Sequence, residues 1–463
     1  MLNGPGCYWI TPPDKFSPQV IAEMETVPTS LTPQMWLAGS ILVAAYVLIF
    51  SEVIHRTLAG IIGAVSMVLA GMIGGFYTQA DAIGAVDANT MFLLTGMMIL
   101  VVLLRPTGGF EYLAIRMAKL SRGSPKLLLV YLSTVVTIIS LFLDNVTTVL
   151  VFAPLTVVIC RMLGLNPIPF LMSEALLSDT GGVATLVGDP PNVMIGSAAG
   201  IDFNQFLFHM GPIILVAWLT TVGLMLFLFR DYLTQPIRDV LDLDETRALK
   251  DRKSLVAILA SMGVVILLFF IHHHFGLFPG YVAWIGVALA LALVRPDPDE
   301  FLRQLDWSVL LFFAGLFIIV GGVEGSGLLD MLGQELVVIA QDPDKLLQTA
   351  LILLWVSAFL SAAVDNIPFT VTMIPIITHL ETQGVDVMPL WWALALGVGL
   401  GGNGTHIGST ANVICVAEAE RAGDPAFRIS PMLWLKKGTP VMLVTLAISS
   451  VLLTIFFDFY RGN

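Results

Sequence analysis

The chain has 463 residues, of which 57% are hydrophobic and only 12% charged, with a mean hydropathy of +0.88 and a formal net charge of −12. Soluble domains carry about a quarter charged residues, so this inventory excludes a water-soluble surface. The acidic balance argues against a nucleic-acid partner, and the apolar composition makes the lipid bilayer the expected one.

Residues 1–34 contain no basic stretch followed by an apolar core, so no cleavable signal peptide is expected. Apolar segments such as 36–51, 211–229 and 255–271 approach the ~20 residues that cross ~30 Å of hydrocarbon as a helix. They lack the period-two alternation of an outer-membrane barrel, so the spans are read as α-helical. Cys7, Cys160 and Cys415 are far apart and suggest neither a disulfide framework nor a zinc site. The consecutive His272, His273 and His274 would point in different directions on a helix, unlike metal ligands at i and i+4.

Three blocks recur at a nearly constant offset. Residues 86–96 resemble 305–315, 219 positions later. Asp144-Asn145-Val146-Thr147-Thr148 resembles Asp365-Asn366-Ile367-Pro368-Phe369, 221 positions later. Residues 181–192 align without gaps with 401–412, 220 positions later, and share both leading glycines, Thr185/Thr405, Gly188/Gly408 and Asn192/Asn412. An internal repeat of this length implies two structural units: 35–230 and 254–458, with an outer segment 1–34, a charged linker 231–253 and a tail 459–463.

Each half reads as three spanning helices, an amphipathic stretch, two apolar pieces meeting at Asp-Asn, a helix broken at the Gly-rich block, and a last span. The Asp-Asn pieces (127–143 with 146–163, and 347–364 with 367–380) form either two full spans or one re-entrant hairpin. The hairpin is the preferred reading, because two residues are few for a surface loop and the polar pair recurs. Either choice gives an odd number of crossings per half, which inverts the second half relative to the first. With both termini outside, 19 of the 22 basic residues fall on the cytoplasmic side, as the positive-inside rule requires. The expected fold is therefore an all-α polytopic protein of the inner membrane, with two inverted repeats, about ten transmembrane helices, two re-entrant hairpins and two broken helices.

Asp144-Asn145 and Asp365-Asn366 stand where a helix begins, and Asp and Asn are preferred caps. At the tip of a membrane-embedded hairpin they would also aim a helix N-terminus, worth roughly +0.5 charge, at the bilayer centre. Gly188-Asp189-Pro190-Pro191-Asn192 cannot continue a regular helix, because adjacent prolines remove two N–H donors. Its counterpart Gly408-Ser409-Thr410-Ala411-Asn412 follows Gly399, Gly401, Gly402 and Gly404. Paired breaks in the two halves are the sequence mark of a transport site. Candidate solute-binding residues are Asn145, Thr147, Gly188, Asn192, Asn366, Asn403, Thr405, Ser409 and Asn412. Candidate carriers of the coupling ion are Asp144, Asp189, Asp365 and His406, since burial of a carboxylate in low dielectric favours its protonated form. Glu174 and Asp179 either line the same cavity or cap the helix leading to the break. No Lys or Arg falls in these elements, a balance that favours a neutral solute or a cation over a multivalent anion.

These blocks resemble the ion-transporter superfamily that holds ArsB-type arsenite permeases, NhaD-type sodium/proton antiporters, the P protein and the dicarboxylate symporters. The resemblance covers about 36–458 and rests on Leu143-Asp144-Asn145 with 188–192, and on Val364-Asp365-Asn366 with 401–412. It implies a scaffold domain, a transport domain with two hairpins and two broken helices, and alternating access. Dicarboxylate members carry Ser-Asn-Thr at both hairpin tips, whereas each tip here begins with Asp. The expected activity is proton-coupled efflux of arsenite or antimonite as the neutral hydroxide, with sodium/proton exchange as the runner-up and anion transport behind it. No enzyme motif is present, and Ser409 with His406 is a weak nucleophile–base pair. No cofactor is expected beyond a proton or sodium gradient. A small-molecule solute is the expected partner, with room left for a homodimer and for a soluble ATPase.

Overall fold

A computed structural model describes residues 31–51, 53–234, 248–331, 345–363 and 366–461. Residues 1–30, most of the linker, and the tip residue Asp365 lie outside the described residues.

The described residues are helical throughout. The first half runs α1 (Pro33–Ser51), α2 (Arg56–Gly74), a short α3 (Gln79–Gly84), α4 (Ala88–Leu104), α5 (Gly109–Leu120), α6 (Pro125–Ser140), α7 (Asn145–Leu163), α8 (Ile168–Gly182), α9 (Pro190–Ala199) and α10 (Phe203–Leu228). The second half runs α11 (Arg252–Ile271), α12 (Pro279–Val294), a short α13 (Pro298–Arg303), α14 (Trp307–Gly325), α15 (Leu346–Ala363), α16 (Asn366–Thr382), α17 (Met388–Gly401), α18 (Thr410–Arg421) and α19 (Pro431–Ile455). Among the described residues, eight helices are long and apolar enough to cross a membrane. The helix starts are written locally. Asp87 caps α4 through the N–H groups of Asn89 and Thr90, Asp306 caps α14 through Val309, and Asp251 caps α11 through Lys253 and Ser254.

Contacts between elements decide between hairpin and full spans. The α6 hydroxyls of Thr137 and Ser140 donate to the carbonyls of Leu177 (3.1 Å) and Ser178 (2.9 Å) on α8. Gly181 and Gly182, a turn later on α8, abut Thr137 and Ser140. The two helices therefore run in the same direction, and α6 ends where α8 breaks. Only four residues separate the end of α7 from the start of α8, so α7 returns to the side on which α8 begins. The second half repeats this arrangement: Ser361 Oγ on α15 donates to Val398 O on α17 (2.7 Å), and Gly401 packs on Ala358. Asp144-Asn145 and Asn366 thus sit at tips of re-entrant hairpins, halfway along the broken helices. Each half makes five crossings, and the second is inverted.

Between helices in lipid there is little hydrophobic driving force, so close packing holds them together. α2 crosses α14 at Gly60 and Gly315, where a Cβ on Gly315 would stand 2.8 Å from Gly60 backbone. The breaks close in the same way. A Cβ on Gly188 would lie 2.6 Å from both Gly182 O and Ser140 O, and one on Gly408 would lie 2.6 Å from Gly402 O. Gly188→Ala and Gly408→Ala are therefore expected to destabilise the fold by about 1–3 kcal/mol each, seen as a lower melting temperature in detergent. Gly223→Ala, with nothing within 4 Å of the added methyl, should stay within about 1 kcal/mol of the parent. Equal melting temperatures for all three would contradict the tight closure.

Candidate functional site

Where α8 and α17 stop, the chain leaves the α-helical path for 183–189 and 402–409, the second stretch opening with a single 3-10 turn at Gly402–Gly404, before α9 and α18 begin. Carbonyls freed at such a break need internal partners, since hydrocarbon supplies none. Asn192 Nδ2 donates to Gly182 O (3.1 Å) and Thr185 O (2.8 Å), and Asn412 Nδ2 donates to Gly402 O (2.8 Å) and Thr405 O (2.9 Å). The two staples are the same bonds repeated 220 residues apart. Thr185 and Thr405 then tie each break to its hairpin, through Leu141 O and Ala362 O. Asn192 and Asn412 are fully buried, and among the described residues their amide oxygens meet no hydrogen-bond donor.

The hairpin tips meet the broken helices at two crossings. Asn366 Nδ2 donates to Asp189 at 3.1 and 3.3 Å, joining the second tip to the start of α9. At the matching place Asn145 Nδ2 donates to Asp179 Oδ1 (2.8 Å), and Ser409 Oγ at the start of α18 donates to the same oxygen (3.0 Å). Ser409 is the repeat counterpart of Asp189, so each crossing holds one amide and one carboxylate, although the carboxylates come from different positions. All four residues are buried, as is Asp179.

Asp144 caps α7, accepting from Thr147 N (2.8 Å) and Thr147 Oγ1 (2.6 Å). It also lines a cavity of about 70 Å³ that touches both tips, at Val146 and Ile367, and the first residues of both second half-helices, Pro190 and Thr410. Arg56, Arg105, Gln304 and Asp306 complete its polar lining. Arg56 Nη1 donates to Thr410 Oγ1 (2.7 Å) and its guanidinium lies 5.5 Å from the Phe312 ring centre. Arg105 is within electrostatic reach of Asp144 and Asp306. This corrects the expectation of a base-free site: two arginines from outside the tip and break elements are packed against it.

The remaining candidates fall apart from that cavity. Asn403 ties the second break to its surroundings, donating to Thr180 Oγ1 (3.1 Å) and accepting from Trp434 Nε1 (3.1 Å). The Gly188 N–H donates to Thr185 Oγ1 (3.1 Å) inside the break. His406 is half-buried in the second break and does not line this cavity. The Ser409 hydroxyl is engaged with Asp179 and accepts from Ala411 N, so the hydrolase pairing with His406 is not formed. Cys415 Sγ donates to Leu171 O (3.2 Å), and Thr156 Oγ1 donates to the buried Glu174 (2.5 Å). Asp179, which the sequence offered only as a cap or a cavity residue, is the carboxylate at a crossing. Its signal was its position, one turn before the break.

The inverted fold, the paired breaks and the tip-to-break crossings define a membrane transporter. The chain belongs to the CitMHS family, whose model, described as a citrate transporter, matches residues 46–397. It is 39% identical over 426 residues to an uncharacterized transporter of Mycobacterium bovis, covering 90% of this chain and 97% of the relative. It is 38% identical over 430 residues to a 46 kDa membrane protein of Mycobacterium leprae, with the same coverage. The human P protein is 31% identical over 501 residues, and the match covers 90% of this chain but 59% of that protein. The fold is shared with the Alcanivorax borkumensis YdaH transporter, at a TM-score of 0.53 and 16% identity, over 92% of this chain and 98% of that one. The fold class and the superfamily resemblance read from the sequence are those found, and the family model and the Mycobacterium bovis relative are named as transporters.

Removing either staple takes the side-chain donor from two buried carbonyls, of which Gly182 O keeps the long contact from Thr185 N (3.4 Å) and Thr405 O that from Gly408 N (3.3 Å), at a cost of about 1–3 kcal/mol. Asn192→Ala and Asn412→Ala are each expected to lower the melting temperature, by similar amounts. A loss in one variant and none in the other would show that the two breaks are not held alike.

Proposed function

We propose that this secondary transporter exchanges protons for a small uncharged hydroxylated solute at the inner membrane, with arsenite or antimonite hydroxide as the cargo and both termini outside. The observation that carries the reading is that each tip asparagine donates to a buried carboxylate, Asn145 to Asp179 and Asn366 to Asp189. Protonating a carboxylate removes its charge and occupies one acceptor, which weakens its hold on the amide. Proton binding and release of the hairpin tip are thereby linked. Asp179, Asp189 and Asp144 act as the proton carriers.

The cavity supports the choice of cargo. Arg56 and Arg105 are matched one for one by Asp144 and Asp306, so no excess positive charge is offered to a multivalent anion. Its volume of about 70 Å³ holds a few water molecules, room enough for a three-hydroxyl metalloid. Thr147, Gln304 and Thr410 offer donors and acceptors to hydroxyl groups. A second reading, anion transport of the kind named in the family description, draws support from the same two arginines.

Everted vesicles with an imposed pH gradient test the proposal. Arsenite-dependent proton movement and arsenite accumulation are expected, with citrate and sodium inert. Proton flux driven by sodium or by citrate, and not by arsenite, would overturn it in favour of sodium/proton exchange or anion transport respectively. Asp179→Asn and Asp189→Asn are each expected to lower gradient-driven uptake tenfold or more, a loss of about 1.4 kcal/mol or more of coupling. Their melting temperatures should stay near the parent's, because asparagine still accepts the tip amide through its carbonyl oxygen.

A further inference from the structure

A second cavity, of about 230 Å³, lies at the opposite ends of α4 and α14 from the one described above. Its lining includes Ala85, Asp87, Gly321 and Glu324. Each has its repeat counterpart in the lining of the first cavity, 219 positions away: Gln304, Asp306, Val102 and Arg105. The two cavities are therefore one structure built twice and inverted, on either side of the tip-to-break crossings. α4 has 17 residues and α14 has 19, so their charged ends are separated by about 25 Å of helix.

The chemistry of the two ends differs at one pair. Asp87 and Asp306 are equivalent caps, but Arg105 on one side is replaced by Glu324 on the other. In the first cavity Arg56 and Arg105 balance Asp144 and Asp306. In the second, among the described residues, the lining holds Asp87 and Glu324 and no basic residue. Among the described residues, Asp330 is within electrostatic reach of Glu324, and His379 pairs with Asp330 at 3.1 Å. Asp81 adds a further acid on the adjoining turn, where it caps α3.

We propose that the two cavities are the opposite mouths of one pseudo-symmetric transport path, and that the Arg105/Glu324 exchange is a specificity determinant that makes the Glu324 mouth select cations while the Arg105 mouth stays charge-neutral. A mouth lined by one sign of charge with low-dielectric walls raises the local concentration of the opposite sign. The coupling cation is then concentrated on one face only, which gives the two faces of an inverted repeat different tasks. The inference rests on the chain being a transporter and not on the identity of its cargo.

Single-cysteine labelling tests it without any transport assay. Ala85→Cys and Gln304→Cys are placed in the full chain carrying Cys7→Ser; the native Cys160 and Cys415 are buried. Each variant is treated with membrane-impermeant cationic (trimethylammonium) and anionic (sulfonate) methanethiosulfonates, in intact cells and in everted vesicles. The two positions should be modified from opposite faces. The cationic-to-anionic rate ratio in the Ala85→Cys variant should exceed that in the Gln304→Cys variant by roughly three- to tenfold, the effect of one or two charges at a hydrated mouth. Adding Glu324→Gln to Ala85→Cys, which leaves Asp87 in place, should lower its ratio by about threefold, and adding Arg105→Gln to Gln304→Cys should raise the ratio there by about threefold. Ala198→Cys, in the same cavity as Ala85, serves if the first variant does not express. Labelling of both positions from one face would overturn the two-mouth reading. A ratio at the Ala85→Cys thiol unmoved by Glu324→Gln would overturn the role of Glu324. A failed arsenite assay with these labelling results intact would sink the proposed cargo alone.

Discussion

An unwound peptide segment cannot exist in hydrocarbon unless the protein itself satisfies it, and here two asparagines do so. Each side-chain amide of Asn192 and Asn412 spans two carbonyls, one at the edge of the break and one inside it. That bond pair lets α8 and α17 stop in the middle of the membrane and lets α9 and α18 start afresh there. The restart brings two helix N-termini to the depth where the hairpin tips present two more. Four helix starts converging at one depth give the cavity polar surroundings without any long polar helix.

The repeat is followed more closely in backbone than in charge. Asp189 of the first half faces Asn366, whereas its counterpart Ser409 has no charge and shares the carboxylate of Asp179 with Asn145. The repeat counterpart of Asp179 is Gly399, and a Cβ there would stand 2.2 Å from Val183 Cγ2. No carboxylate fits at that position, so both crossing acids come from the first half and the second supplies amide and hydroxyl groups. The same pattern of kept geometry and exchanged charge recurs at Arg105 and Glu324.

The scaffold takes part in the chemistry as well as in the packing. Tyr46 on α1 donates to Pro368 O at 2.7 Å, and Arg56 on α2 reaches Thr410, so the outer helices bond to the second hairpin and to the second broken helix. Beside these polar contacts the scaffold packs on Ile367, Val371 and Met194 through one apolar cluster, while the hairpin arms lie against the broken helices through glycine-lined, close-packed faces. Movement of hairpins and broken helices together would cross the first kind of contact and leave the second intact.

By itself the sequence determined that the chain is a helical membrane protein, that it contains one unit twice, and where each unit is interrupted. Those features are local: Pro190-Pro191 forbids a continuous helix, Asp-Asn caps a new one, and the fixed offset of about 220 residues repeats both. The re-entrant course of the hairpins, the pairing of Asn145 with Asp179 and Asn366 with Asp189, and the arrival of Arg56 and Arg105 beside Asp144 were decided only by tertiary structure. Those partners are separated by tens to hundreds of residues, and composition within one element carries no record of which side chain an inverted neighbour will bring across the bilayer. Only the packing direction of α6 on α8 and of α15 on α17 fixes that meeting, because it sets the depth at which each tip stops.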